Sequence, residues 1–249
     1  MAEARPVRSN GLAVVRVTQE RLVGLAARLF APESVFLCRV DTARPAVAIT
    51  FDDGPDEETP LLLDDLARHR MRATFFVLGK QIEKFPEYTH EIVRRGHELA
   101  SHGYSHRAFS LLDAGELAAE IVQTASLLPP PEGAPLLRPP RGRMSVDAML
   151  MASRFGHLLA GWSIDTLDYK LRDPAALASR LRSMRIRPGD VLLLHEGQPW
   201  TRAMLGDLAR ILAERGLETA PMGELLRSAG APVHPPVSAL EEPTARMRS

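Results

Sequence analysis

Thr50-Phe51-Asp52-Asp53-Gly54-Pro55 sets two carboxylates side by side where an apolar run, Ala46 to Ile49, gives out. The run reads as a buried strand, and Gly54-Pro55 stops it and opens a turn. Adjacent acids repel one another unless a cation or a shared proton relieves them. A cation site is offered further along by Ser101-His102-Gly103-Tyr104-Ser105-His106. Eight histidines in the chain make a pair four apart common by chance. The context carries more weight: the pair follows a second strand end and sits in a polar, glycine-containing loop. One carboxylate and two imidazoles hold a hydrolytic metal and leave a position for water. Consecutive residues at a strand end point different ways. One aspartate therefore suits the metal and its neighbour suits a general base. An Asp-Gly turn without chemistry is the plain alternative.

Three further blocks end strands with reactive groups. Arg138-Pro139-Pro140-Arg141-Gly142 begins with an arginine placed to pair with a carboxylate and hold it in one rotamer. Its prolines fix the backbone and aim the next free N–H, that of Arg141, as an oxyanion donor requires. Trp162 to Tyr169 ends a strand with an acid, and Val191 to Glu196 ends a buried strand with His195. A histidine held by a carboxylate is a general acid for a leaving amine. Asp165 is the better-placed carboxylate for that duty.

Alternating strands and helices must position these groups. Strands are predicted at Val47–Phe51, Thr74–Leu78, Glu98–Ser101, Leu136–Arg138, Leu158–Ile164, Val191–His195 and Leu217–Ala220. Helices are predicted at Glu57–His69, Pro86–Arg95, Ala114–Leu127, Val146–Phe155, Pro174–Met184, Thr201–Arg215 and Gly223–Ala229. Ser145 and Asp173 are N-cap signals, and Gly96 and Gly216 fall where helices should end. Roughly seven β/α repeats predict a parallel sheet curled into an incomplete barrel. Residues 1–44 read as an N-terminal extension with one helix over Glu20–Phe30, and 45–230 as the catalytic domain. Residues 231–249, rich in Pro, Ser and charge, read as a disordered tail.

Composition narrows the function. The 249 residues suit one β/α domain, and 45% apolar content is ordinary for a globular core. Lys plus Arg equals Asp plus Glu at 31 each, so no global charge argues for nucleic acid or an anionic membrane. The single cysteine, Cys38, excludes an intramolecular disulfide. Met1 to Pro6 is polar and lacks a secretory apolar core, and no run approaches membrane-spanning length. The expectation is a soluble, cytoplasmic protein.

In order and spacing, Thr50–Pro55, His102–His106, Arg138–Gly142, Asp165–Tyr169 and Leu193–His195 resemble the blocks of the polysaccharide deacetylases of carbohydrate esterase family 4. That group includes the nodulation chitooligosaccharide deacetylases. The resemblance runs from about Ala46 to Leu226. It implies an α/β fold, a distorted (β/α)7 barrel of the polysaccharide deacetylase type. It implies metal-dependent removal of N-acetyl groups from an amino sugar, oligosaccharide or polysaccharide, with release of acetate. Asp53, His102 and His106 become ligands of one divalent metal: zinc first, with cobalt or manganese as alternatives. Asp52 becomes the catalytic base with Arg138 oriented on it, and His195 the acid tuned by Asp165. Arg141 through its N–H, Tyr104 and Trp162 are expected at the substrate and oxyanion. The implied partner is an N-acetylated carbohydrate, with no nucleic acid, integral membrane segment or protein partner.

Three residues depart from the family pattern. Gly103 stands where Ser or Thr is usual, Arg141 where Tyr or Phe is usual, and Glu196 where Asp is frequent. Arg141 and Arg143 raise the expectation of an anionic substrate such as a lipid-linked or nucleotide sugar. The alternatives are a same-fold amidase or deformylase acting on another C–N bond, or a non-catalytic carbohydrate-binding homologue.

Overall fold

A computed structural model describes residues 35–230. The helix expected over Glu20–Phe30 and the tail 231–249 lie outside the described residues.

The sheet is built from β1 (Phe36–Leu37), β2 (Ala46–Asp52), β3 (Ala73–Val77), β4 (Glu98–Ser101), β5 (Leu136–Leu137), β6 (Leu158–Ala160), β7 (Ile164–Asp165), β8 (Val191–His195) and β9 (Glu218–Thr219). Their order is β1-β6-β5-β4-β3-β2-β8-β7, with β9 on β2, and the ladders between them are parallel. The helices are α1 (Thr59–Arg68), α2 (Gly79–Lys84), α3 (Pro86–Arg94), α4 (Ala114–Leu127), α5 (Val146–Arg154), α6 (Pro174–Ser183), α7 (Pro199–Glu214) and α8 (Met222–Ser228). This is a curled, helix-wrapped parallel half-barrel.

The period of two along β2 decides what faces where. Val47, Ile49 and Phe51 join the apolar cluster shared with α1, α6 and α7, including Leu63, Leu66, Leu177, Leu205 and Leu208. Ala46 and Ala48 face the other way, into a cluster with Phe76, Ala100, Ala160 and Val191. Thr50 and Asp52 continue that inner row. The same alternation on β8 sends Leu192 and Leu194 outward and leaves Val191, Leu193 and His195 inside. Phe51 stacks on Phe75 at 5.3 Å between ring centres, and burying such a ring contributes about 2–3 kcal/mol.

Caps act where the sequence places them. Ser145 accepts from Ala148 N–H and Asp173 from Ala176 N–H. Asp113 and Glu116 add a reciprocal capping box at the start of α4. Gly96 and Gly216 take left-handed φ just beyond α3 and α7.

Three features differ from expectation. The strand expected over Leu158–Ile164 is two. Gly161 N–H donates to Leu37 on one side of the seam, whereas Ser163 N–H donates to Val191 on the other, so the segment crosses between ladders and breaks. β1 falls ahead of the domain boundary expected at 45, yet Phe36 and Leu37 pair with Leu159 and Ala160. α2 was invisible to periodicity: six residues opening on a glycine, of which Gly79 and Ile82 are buried.

Candidate functional site

Register brings the reactive groups to one end of the sheet. Asp52 pairs with Phe76 and with His195, and Ser101 pairs with Leu137. The residues that follow, Asp53, His102 and Arg138, therefore emerge together above the strand ends. They bound a cleft of about 330 Å³ lined by Asp52, Asp53, His102, His106, Arg141, Trp162, Tyr169, His195 and Gln198, among others.

Asp53, His102 and His106 each offer one ligand atom, all within 4.8 Å of one another. His106 Nε2 lies 3.1 Å and His102 Nε2 3.5 Å from Asp53 Oδ1. The tautomer of His102 follows from its other nitrogen. Nδ1 lies 2.8 Å from the Arg138 carbonyl, which only accepts, so the proton of the neutral ring is on Nδ1. Nε2 then points a lone pair at a carboxylate oxygen that is itself buried without a hydrogen-bond donor. Lone pairs converging on one point are a defect that a cation repairs. The donor set fits a divalent metal.

Backbone geometry serves the same end. Asp53 and His106 both take left-handed φ, at 80° and 66°. Gly54 is required by packing, because a Cβ there would lie 1.7 Å from Glu196 Oε1. Gly103 has φ of 76°, and a Cβ on it would meet Phe109 at 2.9 Å. The departure from Ser or Thr at this position is therefore built into the turn. Glu120 on α4 does the holding instead. Its carboxylate accepts from Tyr104 N–H at 2.6 Å, from Ser105 N–H at 2.8 Å and from the Ser105 hydroxyl.

Asp52 is 4% exposed and faces Arg138, which is fully buried. One guanidinium nitrogen donates to Asp52 Oδ1 at 2.6 Å and to Thr50 Oγ1 at 2.8 Å. The other nitrogens donate to the Ala160 and Gly161 carbonyls. The guanidinium also lies over the Phe76 ring at 3.9 Å and near Trp162 at 5.8 Å. Such a locked cation fixes one oxygen of Asp52. The other, Oδ2, lies 3.7 Å from His102 Nε2, on the metal side.

His195 corrects one expectation. Its carboxylate partner is Asp168, not Asp165. Nδ1–H donates to Asp168 Oδ1 at 2.8 Å, and the His195 backbone N–H donates to Oδ2 at 2.7 Å. Asp168 is fully buried and also accepts from Thr201 Oγ1 and Tyr169 N–H. Asp165 remains in the ladder opposite Leu193, and its side chain accepts from Leu167 N–H in the turn that follows. That turn, with Leu167 at φ 61°, swings Asp168 back under His195. Burial lowers the His195 pKa, but Asp168, Asp52 and Asp53 together raise it to about 8.

The expected substrate residues divide. Trp162 and Arg141 line the cleft. Tyr104 does not: its ring packs on Gly79, where a Cβ would lie 2.3 Å away, and its hydroxyl donates to Glu83 on α2. The N–H groups of Gly142 and Arg143 are taken by the Pro139 and Pro140 carbonyls, whereas that of Arg141 has no partner among the described residues. Sequence reasoning missed Glu120 and Thr201. Glu120 carried a signal, an acid on the same helical face as Leu117, Ile121 and Thr124. Among the described residues no helix is long and apolar enough to cross a membrane.

A family model described as polysaccharide deacetylase matches residues 39–160. The peptidoglycan-N-acetylglucosamine deacetylase of Bacillus cereus is 37% identical over 152 residues, covering 60% of this chain and 55% of that one. The chitooligosaccharide deacetylase of Sinorhizobium fredii is 33% identical over 165 residues, covering 65% and 76%. A crystal structure of a peptidoglycan N-acetylglucosamine deacetylase in complex with an N-oxidanyl-benzamide superposes with a TM-score of 0.73 at 27% identity, covering 80% of this chain and 98% of that one. The chain thus spans little more than half the length of the Bacillus cereus relative.

Proposed function

The chain belongs to the polysaccharide deacetylase family, and from that premise we infer that it hydrolyses the N-acetyl group of an amino sugar unit in a carbohydrate. The observation that carries this reading is the convergence of Asp53 Oδ1 with the Nε2 atoms of His102 and His106, beside a second carboxylate already held by an arginine. Chitooligosaccharide and peptidoglycan glycans, the substrates named for the relatives, are the first to try.

Asp53, His102 and His106 would hold one divalent cation, zinc by donor preference. When bound, it supplies Lewis acidity to an amide carbonyl and to water. Asp52 is the base, and its support is position. Arg138 occupies Oδ1 and leaves Oδ2 to take a proton from the attacking water. The Arg141 N–H, unclaimed and aimed by its proline neighbours, donates to the carbonyl oxygen as negative charge develops there. His195 carries its proton on Nε2 as well as Nδ1 when charged. It delivers the Nε2 proton to the leaving nitrogen, while Asp168 steadies the imidazolium. The products are acetate and a free amino sugar. Trp162 gives the sugar ring an apolar wall.

The test is acetate release from acetylated chitooligosaccharides and peptidoglycan fragments by chelator-treated protein, before and after adding zinc, cobalt or manganese. The expected result is turnover that appears only on reloading. Turnover that persists undiminished in the chelated protein, with no bound metal by elemental analysis, would overturn the reading.

A further inference from the structure

Arg141 stands at the cleft with no described residue to neutralise it. Of the residues that line the cleft it is the one permanent cation. Among the described residues most other arginines are tied down: Arg39, Arg44, Arg72, Arg95 and Arg202 each meet a carboxylate within 3.3 Å. Arg141 has no ion pair or side-chain hydrogen bond to a described residue. Its backbone is also costly for this residue type. With φ 61° and ψ 12° it occupies the left-handed region, where glycine or asparagine sits more easily. Turn geometry alone does not call for an arginine.

The charge count of the cleft is unbalanced in the same direction. Arg138 cancels Asp52. A divalent cation on Asp53 and two neutral imidazoles leaves one positive charge, and Arg141 makes two. A neutral N-acetyl sugar brings nothing to meet them.

We propose that Arg141 receives an anionic group of the substrate, an N-acylated amino sugar that carries a carboxylate or phosphate close to the scissile amide. The guanidinium fork matches either group with two parallel hydrogen bonds. The inference rests on the deacetylase reading and narrows its substrate class.

The experiment keeps the two separable by measuring binding as well as turnover. Zinc-loaded His195→Gln protein, in which the Arg138–Asp52 pair is intact, is titrated calorimetrically with three N-acetylated disaccharides: neutral, bearing a carboxylate as a lactyl ether, and bearing a phosphate monoester. The expected result is binding of at least one anionic sugar about tenfold tighter than the neutral one. Which anion wins identifies the source, a sugar acid or a phosphosugar. The preference should disappear when Arg141→Gln is added, persist in part with Arg141→Lys, and shrink in about 0.5 M salt. Arg154→Gln, an equal loss of charge at the exposed end of α5, should leave it intact. Turnover by the otherwise native protein should show the same ratio in kcat/KM. Equal affinity for all three sugars overturns the inference, as does a preference that survives Arg141→Gln or is lost in Arg154→Gln. Absence of turnover on every sugar, with the binding preference present, instead counts against the deacetylase reading.

Discussion

Two aspartates that share a peptide bond are separated in function by what each meets. Asp52 is still in the ladder and turned inward onto a buried guanidinium. Asp53 is past the strand end, in left-handed conformation, turned onto two imidazoles. Substitution should separate them as cleanly. Asp53→Ala should cost at least about a hundredfold in zinc affinity by competition with a chromophoric chelator. Asp52→Asn should keep affinity within about threefold and lower kcat by about 10²–10⁴. A further test belongs to His195. In metal-free protein it titrates near 8 because Asp168, with help from Asp52 and Asp53, outweighs burial. Asp168→Asn leaves burial less opposed, so the imidazole pKa followed by NMR should fall by about one pH unit or more. The acid form is the one that donates, so the alkaline limb of kcat should move to lower pH with it. Asp165→Asn should move neither, since its carboxylate bonds within its own turn; equal shifts from both variants would return Asp165 to the role first expected of it.

Strand ends were legible, and loop partners were not, for a physical reason. Short apolar runs announce β2, β3, β4 and β8, and parallel register then carries Asp53, His102, Arg138 and His195 to one end of the sheet. What closes around them depends on turns that periodicity does not encode. Asp165 and Asp168 are equally acidic in sequence, and only the left-handed turn at Leu167 decides between them. Tyr104 was expected at the substrate, yet Gly79 on the unforeseen α2 opens a slot that takes its ring away from the cleft. Glu120 is the strongest case. A helix one layer out sends a carboxylate to two backbone amides and a hydroxyl of the ligand-bearing loop. It acts as a positioning residue for His102 and His106. Glu120→Gln removes the charge, so the two N–H bonds to the loop become neutral ones and the Ser105 hydroxyl must turn from donor to acceptor. Zinc affinity should drop by about tenfold, while far-UV circular dichroism and the burial of α4 remain. Unchanged affinity would show that the Asp53 turn alone sets the site.

The whole molecule stores part of its pH response behind the same turn. Glu196 follows His195 at the end of β8, is 4% exposed, and packs against the Cα of Gly54. Thr59 donates to its Oε2, but Oε1 is buried without a partner. Burial first, then Asp56 and Asp53, raise its pKa to about 8, which the Thr59 bond offsets only in part. The native state therefore keeps this proton where an unfolded chain gives it up. Below about pH 4.5 both states hold the proton and nothing is lost. As pH rises from there toward 8 the unfolded state ionises alone, and stability falls through that window, levelling once the native carboxyl also ionises. Glu196→Gln keeps an acceptor for Thr59 and removes the titration. In chelator-treated protein the variant should gain little over the parent near pH 4.5 and progressively more toward pH 8. A gain on the order of 2 kcal/mol would raise Tm by several degrees for a domain of this size. Thermal unfolding across that range decides the matter: a gain that does not grow with pH means Glu196 is already ionised in the fold, with its charge met by a partner that the Gly54 turn conceals.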